Sequence, residues 1–475
     1  MVWPLTHTLW GHADSSVSTA SPAQLRVIRY VLHLIPDYSD PGLTGHCNLT
    51  VENRSDKVVK RIPLLLYRTL YVDRVRDERG RTLQFAQRVC SFRDWGALQV
   101  NAVHVDLPEP LHPKARCAIH LDYHGWVMGY AETGMRYIQD RIDADFTILR
   151  PDSRVYPEVG VPEWSVNRAA GLQWFDYILK VTVPEGYTVA NGGREVKRHT
   201  GPEGVTWVFR NIRPAWRMDA AIARYRIIQK GKNRVYHFPG DEAGANSVMQ
   251  AMTDAMERYS NWFGPLEDSH GFRIIEIPEG WGSQADVTSI IQTAAAFRNP
   301  DQLHQVYHEI AHQWNVNDLD PLPSRFASEG FATYLQYRLA EECGGHKGAL
   351  KQGIQLCLDK FRRQCGKNPS AAAIPMAAYG THRLTGLSYT KGMVFFALLN
   401  RLMGDAAFGA AVGSFYHKYR SRGATTAQFA EHFISCSSGH LKGLFNDWVY
   451  GTKSSQWILA GEGWNVLLKH YGRTE

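Results

Sequence analysis

Near residue 240 the spacing of apolar residues changes from two to between three and four. That switch limits the chain to a β-rich unit followed by a helical one. Before it, LRVIRYVLHL and ALQVNAVHVDL alternate apolar with polar residues, and DYILKVTVPEGY runs as a strand into a Pro/Gly turn. Turn chemistry recurs at DERGR, PEPLHP, NGG and TGPEG. Many short strands separated by turns predict an antiparallel β domain, open or sandwich-like, over residues 22–237, behind a loose tail at 1–21. After the switch, SVMQAMTDAMERYSNWFG predicts an amphipathic helix closed by Gly264, and HGFRIIEIP predicts a strand. Further helices are expected to end at Gly404 and Gly423, and another to start at a capping threonine in TTAQFAEHF. The expected class is α+β in two domains, the second, 238–475, mostly helical.

Composition narrows the function classes. At 475 residues the chain is long enough for two or three domains with large cores. Its net charge of +7 is spread along the chain, whereas nucleic-acid binders gather their basic residues, so no nucleic-acid partner is expected. The seven cysteines are odd in number and form no CxxC pair, which argues against a disulfide framework and against a cysteine-held zinc. No run of roughly 18 apolar residues occurs, and the N-terminus lacks a basic start followed by an apolar stretch. No membrane span or signal peptide is expected, and the expected location is cytoplasmic. The oligomeric state is not set by the sequence.

The segment DQLHQVYHEIAHQWNV carries the chemistry. Leu303, Val306, Tyr307, Ile310, Ala311 and Trp314 form a helical apolar stripe. His308 and His312, four residues apart, fall one turn apart on the other face, where two imidazoles can converge on one ion. Glu309 sits beside them, as a general base toward an attacking water requires. Two histidines and a glutamate would be a costly polar stripe to bury without a partner, and a metal supplies one. Hydrolytic zinc takes three protein ligands and keeps one position open. In the next helical segment, SRFASEGFATYLQYRLAEE, Glu329 is the acid set among apolar neighbours. Glu341 and Glu342 lie at its polar end, and Asp318 and Asp320 in the connecting loop. Glu329 is therefore the expected third ligand, with one zinc per chain. A non-catalytic scaffold with structural zinc is the rival reading, but such sites use four protein ligands and no spare base.

HEIAHQW followed by SRFASEGFATYLQ resembles the gluzincin pattern of the M1 aminopeptidases. LSYTKGMVFFALLNRLMGDAAF is similar to the stretch that holds that family's catalytic tyrosine, which puts the role on Tyr389. NWFGPL before a strand, and VPEGYTVANG in the β half, follow the family's order. The resemblance implies a saddle-like β domain, a thermolysin-like catalytic domain, and peptide substrates cut most often from the N-terminus. Three departures stand out. Sixteen residues separate His312 from Glu329, two fewer than is usual in the family, a difference the loop can absorb. No counterpart of the large helical C-terminal domain of many members is expected. The GAMEN motif is replaced by IPEGWGSQADVTSIIQ, in which Gln284 falls at the offset of the glutamate that holds a substrate's α-ammonium and Asp286 lies two residues on. Asp286 could substitute, or could cap the following turn through the backbone. Loss of the glutamate keeps endopeptidase and restricted dipeptidase activity open as alternatives.

Overall fold

The computed structural model describes residues 25–135, 138–163, 174–266, 271–380, 384–437 and 441–472. The N-terminal tail assigned to 1–21 lies outside the described residues. Alternation in Leu25–Asp37 buries every second side chain over most of its length, with Leu32 and Leu34 sealed in the core. This strand is central in a seven-stranded sheet. The spatial order is Arg194–Gly201, Gly204–Arg210, Asp176–Val183, Leu25–Asp37, Gly42–Asn53, Arg116–Gly125 and Leu70–Asp77. Every pairing is antiparallel except one: Leu25–Asp37 runs parallel to Asp176–Val183, a strand that returns only after a long excursion of the chain. Four more strands, Phe85–Ser91, Gln99–Leu111, Val59–Tyr67 and Glu158–Val159, form a second sheet whose apolar residues share one core with the first.

The second half is built on a five-stranded sheet ordered Arg226–Lys230, Asn233–His237, Arg273–Ile277, Ser289–Thr293 and Gln284–Ala285. Its first two strands come from residues that the alternating pattern groups with the β domain. A period of two identifies a strand but not the sheet it joins. The central strands Arg273–Ile277 and Ser289–Thr293 are buried throughout, as parallel strands covered on both faces must be. A small three-stranded sheet of Thr188–Ala190, Ala220–Ala223 and Thr147–Leu149 links the halves. Ile148 and Ala221 from it pack with Tyr236, Ile275 and Ile291 of the five-stranded sheet in one cluster.

Helices complete the second half around one large core. The Glu242–Phe263 helix ends at Gly264 with φ of 90°, where a side chain would be strained. Thr425 and Gln428 form a reciprocal capping box at the start of Thr426–Ser435. Among the described residues, no single helix is long and apolar enough to cross a membrane. All seven cysteines are free thiols.

Candidate metal centre

The helix that presents the histidines is His304–Ala311, continued by a 3₁₀ turn over His312–Trp314. Its stripe is anchored as its spacing requires: Val306, Ile310 and Ala311 are fully buried, and Trp314 Nε1 donates to the Gly264 carbonyl at 3.0 Å. This fixes the roll of the helix, so His308 and His312 face the opposite side with only 12% of each side chain exposed.

Glu329 arrives by a less regular route. Phe326–Gly330 is a π turn, entered from Arg325 in the left-handed region at φ 66°, and only then does the Phe331–Glu342 α-helix begin. The wide turn packs against the Thr385–Met403 helix at two glycines. A Cβ on Gly330 would stand 2.6 Å from Gly392 Cα, and one on Gly392 would stand 2.9 Å from Gly330 Cα. Only a glycine pair lets the backbones approach so closely, and the approach brings Tyr389, three residues before Gly392, beside the histidines. The Tyr389 ring stacks on His308 at 6.1 Å between centroids and 4° between planes.

His308 Nε2 and His312 Nε2 lie 3.3 and 3.4 Å from the same Glu329 oxygen, Oε2. A tetrahedral ion with ligands at about 2.0–2.1 Å sets them roughly 3.3 Å apart, so each histidine already stands from the glutamate at the spacing a zinc ion needs, and all three donors lie within 4.8 Å of one another. Among the described residues, these three are the one group whose donor atoms could share a metal. The outer nitrogens are held as well. Gln336 Oε1 lies 3.0 Å from His308 Nδ1, and the Asn315 side-chain amide lies 2.6 Å from His312 Nδ1. The Gln336 oxygen at His308 Nδ1–H fixes the tautomer that leaves Nε2 free to ligate, whereas at His312 it is the Asn315 amide nitrogen, Nδ2, that stands at Nδ1. Glu329 Oε1 is paired with the Arg325 guanidinium, which leaves Oε2 for the ion.

The electrostatics separate the two glutamates. Burial alone would raise the pKa of Glu329, but Arg325, His312 and the hydrogen bonds from both histidines hold it well below the usual carboxylate range. Burial pushes Glu309 up to about 7, with Glu329 adding to the rise and His308 opposing it. Glu329 is thus a permanent anion, suited to ligation, and Glu309 is poised near neutrality, suited to exchanging a proton. Burial, and then the charge of Glu329, also raise the Tyr389 phenol, which keeps its proton.

The structure does not bring Gln284 and Asp286 to the ion group as open contacts. Gln284 lies on the edge strand, with Oε1 accepting from Arg217 and, at 3.2 Å, from Arg150, while Nε2 donates to Asp152. Both ends of its amide are engaged. Asp286 is 3% exposed, and burial, followed by Asp219, raises its carboxyl to about 7. Its backbone carbonyl accepts from Gln313 Nε2 at 2.6 Å, which ties this turn to the histidine helix.

Sequence reasoning missed Arg325, Gln336, Asn315 and Arg217. Gln336 had a signal, since it lies two turns after Glu329 on a helix. Arg217 had none: it reaches Asp152, Asp219 and Gln284 from the β half, and its charge bears on Glu309.

Residues 287–448 match the Peptidase family M1 domain. Two yeast (Saccharomyces cerevisiae) proteins are similar: alanine/arginine aminopeptidase, 20% identical over 56% of this chain and 34% of its own length, and mitochondrial aminopeptidase 2, 22% identical over 46% of this chain and 24% of its own length. The chain thus matches about a third or less of the length of these relatives. Among solved structures, the M1 zinc metallopeptidase of Deinococcus radiodurans superposes with a TM-score of 0.65 at 21% identity, covering 90% of this chain and 94% of that one. A glutamate-to-alanine mutant of that metallopeptidase, bound to a Tyr-Ser-Ala substrate, superposes with a TM-score of 0.62 at 20% identity, covering 93% and 95%. These likenesses establish a shared two-domain fold.

Proposed function

We propose that this chain is a member of peptidase family M1 that hydrolyses peptide bonds and removes residues from peptide N-termini. One observation carries the reading. Three donor atoms converge, each histidine at zinc spacing from Glu329, and Glu309, buried and with its carboxyl pushed up to about 7, stands next in sequence to one of them. The likeness to two aminopeptidases supports the exopeptidase form.

In this proposal His308, His312 and Glu329 hold the metal. Zinc at such a site polarises a carbonyl and lowers the pKa of water toward about 7. Glu309 takes a proton from the attacking water and delivers it to the departing amine. Its carboxyl suits both roles because its pKa lies close to the working pH. Tyr389 keeps its phenolic proton and donates it as a hydrogen bond to the carbonyl oxygen as that oxygen gains charge. Arg325 holds the non-ligating oxygen of Glu329, and Gln336 and Asn315 hold the histidine rings, so that few side chains must reorder during turnover.

A second reading, endopeptidase or restricted dipeptidase, draws support from Gln284 and Asp286. The first has its amide engaged by Arg150, Arg217 and Asp152, and the second is buried, so neither offers a free carboxylate to an α-ammonium. The deciding experiment compares a fluorogenic peptide with its N-acetylated twin, with and without a chelator. A free-amine preference of roughly 100-fold in kcat/KM, about 3 kcal/mol, supports the aminopeptidase. Equal cleavage of the two supports the endopeptidase. Turnover of neither, in zinc-replete enzyme, refutes the peptidase reading. If the free amine is preferred, Asp286→Asn separates its source: loss of the preference would assign the anchor to Asp286 despite its burial.

A further inference from the structure

A concentration of positive charge with few carboxylate partners lies on residues apart from the metal centre. It is a groove of about 360 Å³ where the two halves meet, lined by Arg194, Glu195, Val196, Lys197, Arg198, Arg234 and Arg273. The first five come from an edge strand of the seven-stranded sheet. Arg234 and Arg273 come from neighbouring strands of the five-stranded sheet.

Five cations face one anion there, and that anion is taken. Glu195 accepts from Arg198 at 3.0 and 3.1 Å, and the Arg198 guanidinium also lies 3.5 Å from the centre of the Trp207 ring. Among the described residues, no carboxylate pairs with Arg194, Lys197, Arg234 or Arg273. Arg234 and Arg273 are direct partners across parallel strands, a like-charge neighbour pair that costs stability unless something neutral or negative lies over it. Arg273 is the unusual member. It is 7% exposed, and its guanidinium donates to the Gly271 carbonyl at 2.8 Å. A guanidinium is rarely buried unless a counter-charge completes its surroundings. Solvated surface lysines would not need that explanation, but a buried arginine on the floor of a basic groove does.

The lining also specifies the ligand. Guanidinium groups match phosphate oxygens with paired hydrogen bonds. Val196 is the one apolar residue in the lining, and the Trp207 face is occupied by Arg198, so the groove has no platform for a base and no apolar floor for an acyl chain. Its volume suits a small ligand. We propose that this inter-domain groove binds a compact polyphosphate-class oxyanion, held by Arg194, Lys197, Arg234 and Arg273.

The test is calorimetric titration of the full chain with tripolyphosphate, ionic strength held constant with sodium chloride. One saturable site per chain is expected, and the Arg194→Gln/Lys197→Gln double variant should bind about tenfold or more weakly while keeping wild-type peptide turnover. Arg273→Gln should weaken binding at least as much. Should that buried substitution prevent folding, the exposed double variant still decides the matter. Lys60→Gln, which removes an exposed charge on the four-stranded sheet, outside the groove's lining, should leave the affinity unchanged. ATP, which carries the same three phosphates, should bind no more tightly than tripolyphosphate. Absence of a saturable site, equal weakening by Lys60→Gln, or markedly tighter binding of ATP would overturn the proposal.

Discussion

Replacing Gly392 by alanine should stabilise a helix and yet damage this protein. Alanine in a helix interior is favoured over glycine by about 0.5–1 kcal/mol, so propensity alone predicts a gain. The contact with the π turn predicts the opposite. The added Cβ would sit 2.9 Å from Gly330 Cα and 3.3 Å from the Phe326 carbonyl oxygen. Carbon atoms pack best at about 3.5–4.0 Å, so the Thr385–Met403 helix and the turn must separate by roughly 1 Å. Overpacking of this kind costs about 1–3 kcal/mol, which outweighs the propensity gain. The functional cost is larger, because the two surfaces being separated carry Tyr389 and Glu329. A displacement of about 1 Å in a catalytic group is worth about 10²-fold in rate. The expected outcome is a lower urea midpoint, and kcat/KM against a fluorogenic peptide reduced about 100-fold with zinc still bound. Gly330→Ala, whose Cβ meets Gly392 Cα at 2.6 Å, should be at least as damaging. Wild-type kcat/KM in Gly392→Ala would refute the claim that this glycine contact sets the position of Tyr389.

Other substitutions probe the remaining parts. Glu309→Gln should retain zinc by elemental analysis while kcat falls by 10²-fold or more, whereas Glu329→Ala should lose the metal. Tyr389→Phe should lower kcat by roughly 10²–10³-fold with KM and melting temperature little changed; loss of stability alone would make it a packing residue. Gln336→Leu or Asn315→Leu should weaken zinc affinity by about 10–100-fold, read by competition with a chelator. Glu276 lies on a fully buried strand and is itself fully buried. Burial raises its pKa to about 8, the Phe238 N–H opposes the rise, and Asp241 adds to it. Its folded pKa lies above the unfolded value near 4.3, so its contribution to stability is full below that value and is lost as pH rises through about 8. Glu276→Gln, measured by urea unfolding from pH 5 to 8, should flatten that decline; an unchanged slope would show that another group causes it.

Much of the architecture was legible because it rests on local signals. Alternation located Leu25–Asp37 and Gln99–Leu111, and glycines marked the ends of Glu242–Phe263 and Thr385–Met403. The pattern could not reveal the sheet to which a strand belongs, and for that reason Arg226–His237 lies with the five-stranded sheet although its alternation groups it with the β half. The spacing of His308 and His312 announced the metal helix, but the π turn at Phe326–Gly330 was hidden, since one extra residue per turn leaves the apolar pattern almost unchanged. The network around Gln284 was invisible for another reason. Arg150, Asp152 and Arg217 lie more than sixty residues from it in sequence, and only the meeting of the two halves brings them together.

In the proposed function, peptide hydrolysis depends on one zinc ion held by His308, His312 and Glu329. Zinc titrated into chelator-stripped enzyme, with turnover of an unblocked peptide followed at each addition, tests it most directly. Turnover should be negligible at the start and recover linearly to an end point at one zinc per chain, with no recovery in His312→Ala at the same zinc concentrations. Full turnover by the stripped enzyme, or recovery by His312→Ala with the wild-type stoichiometry, would contradict this reading.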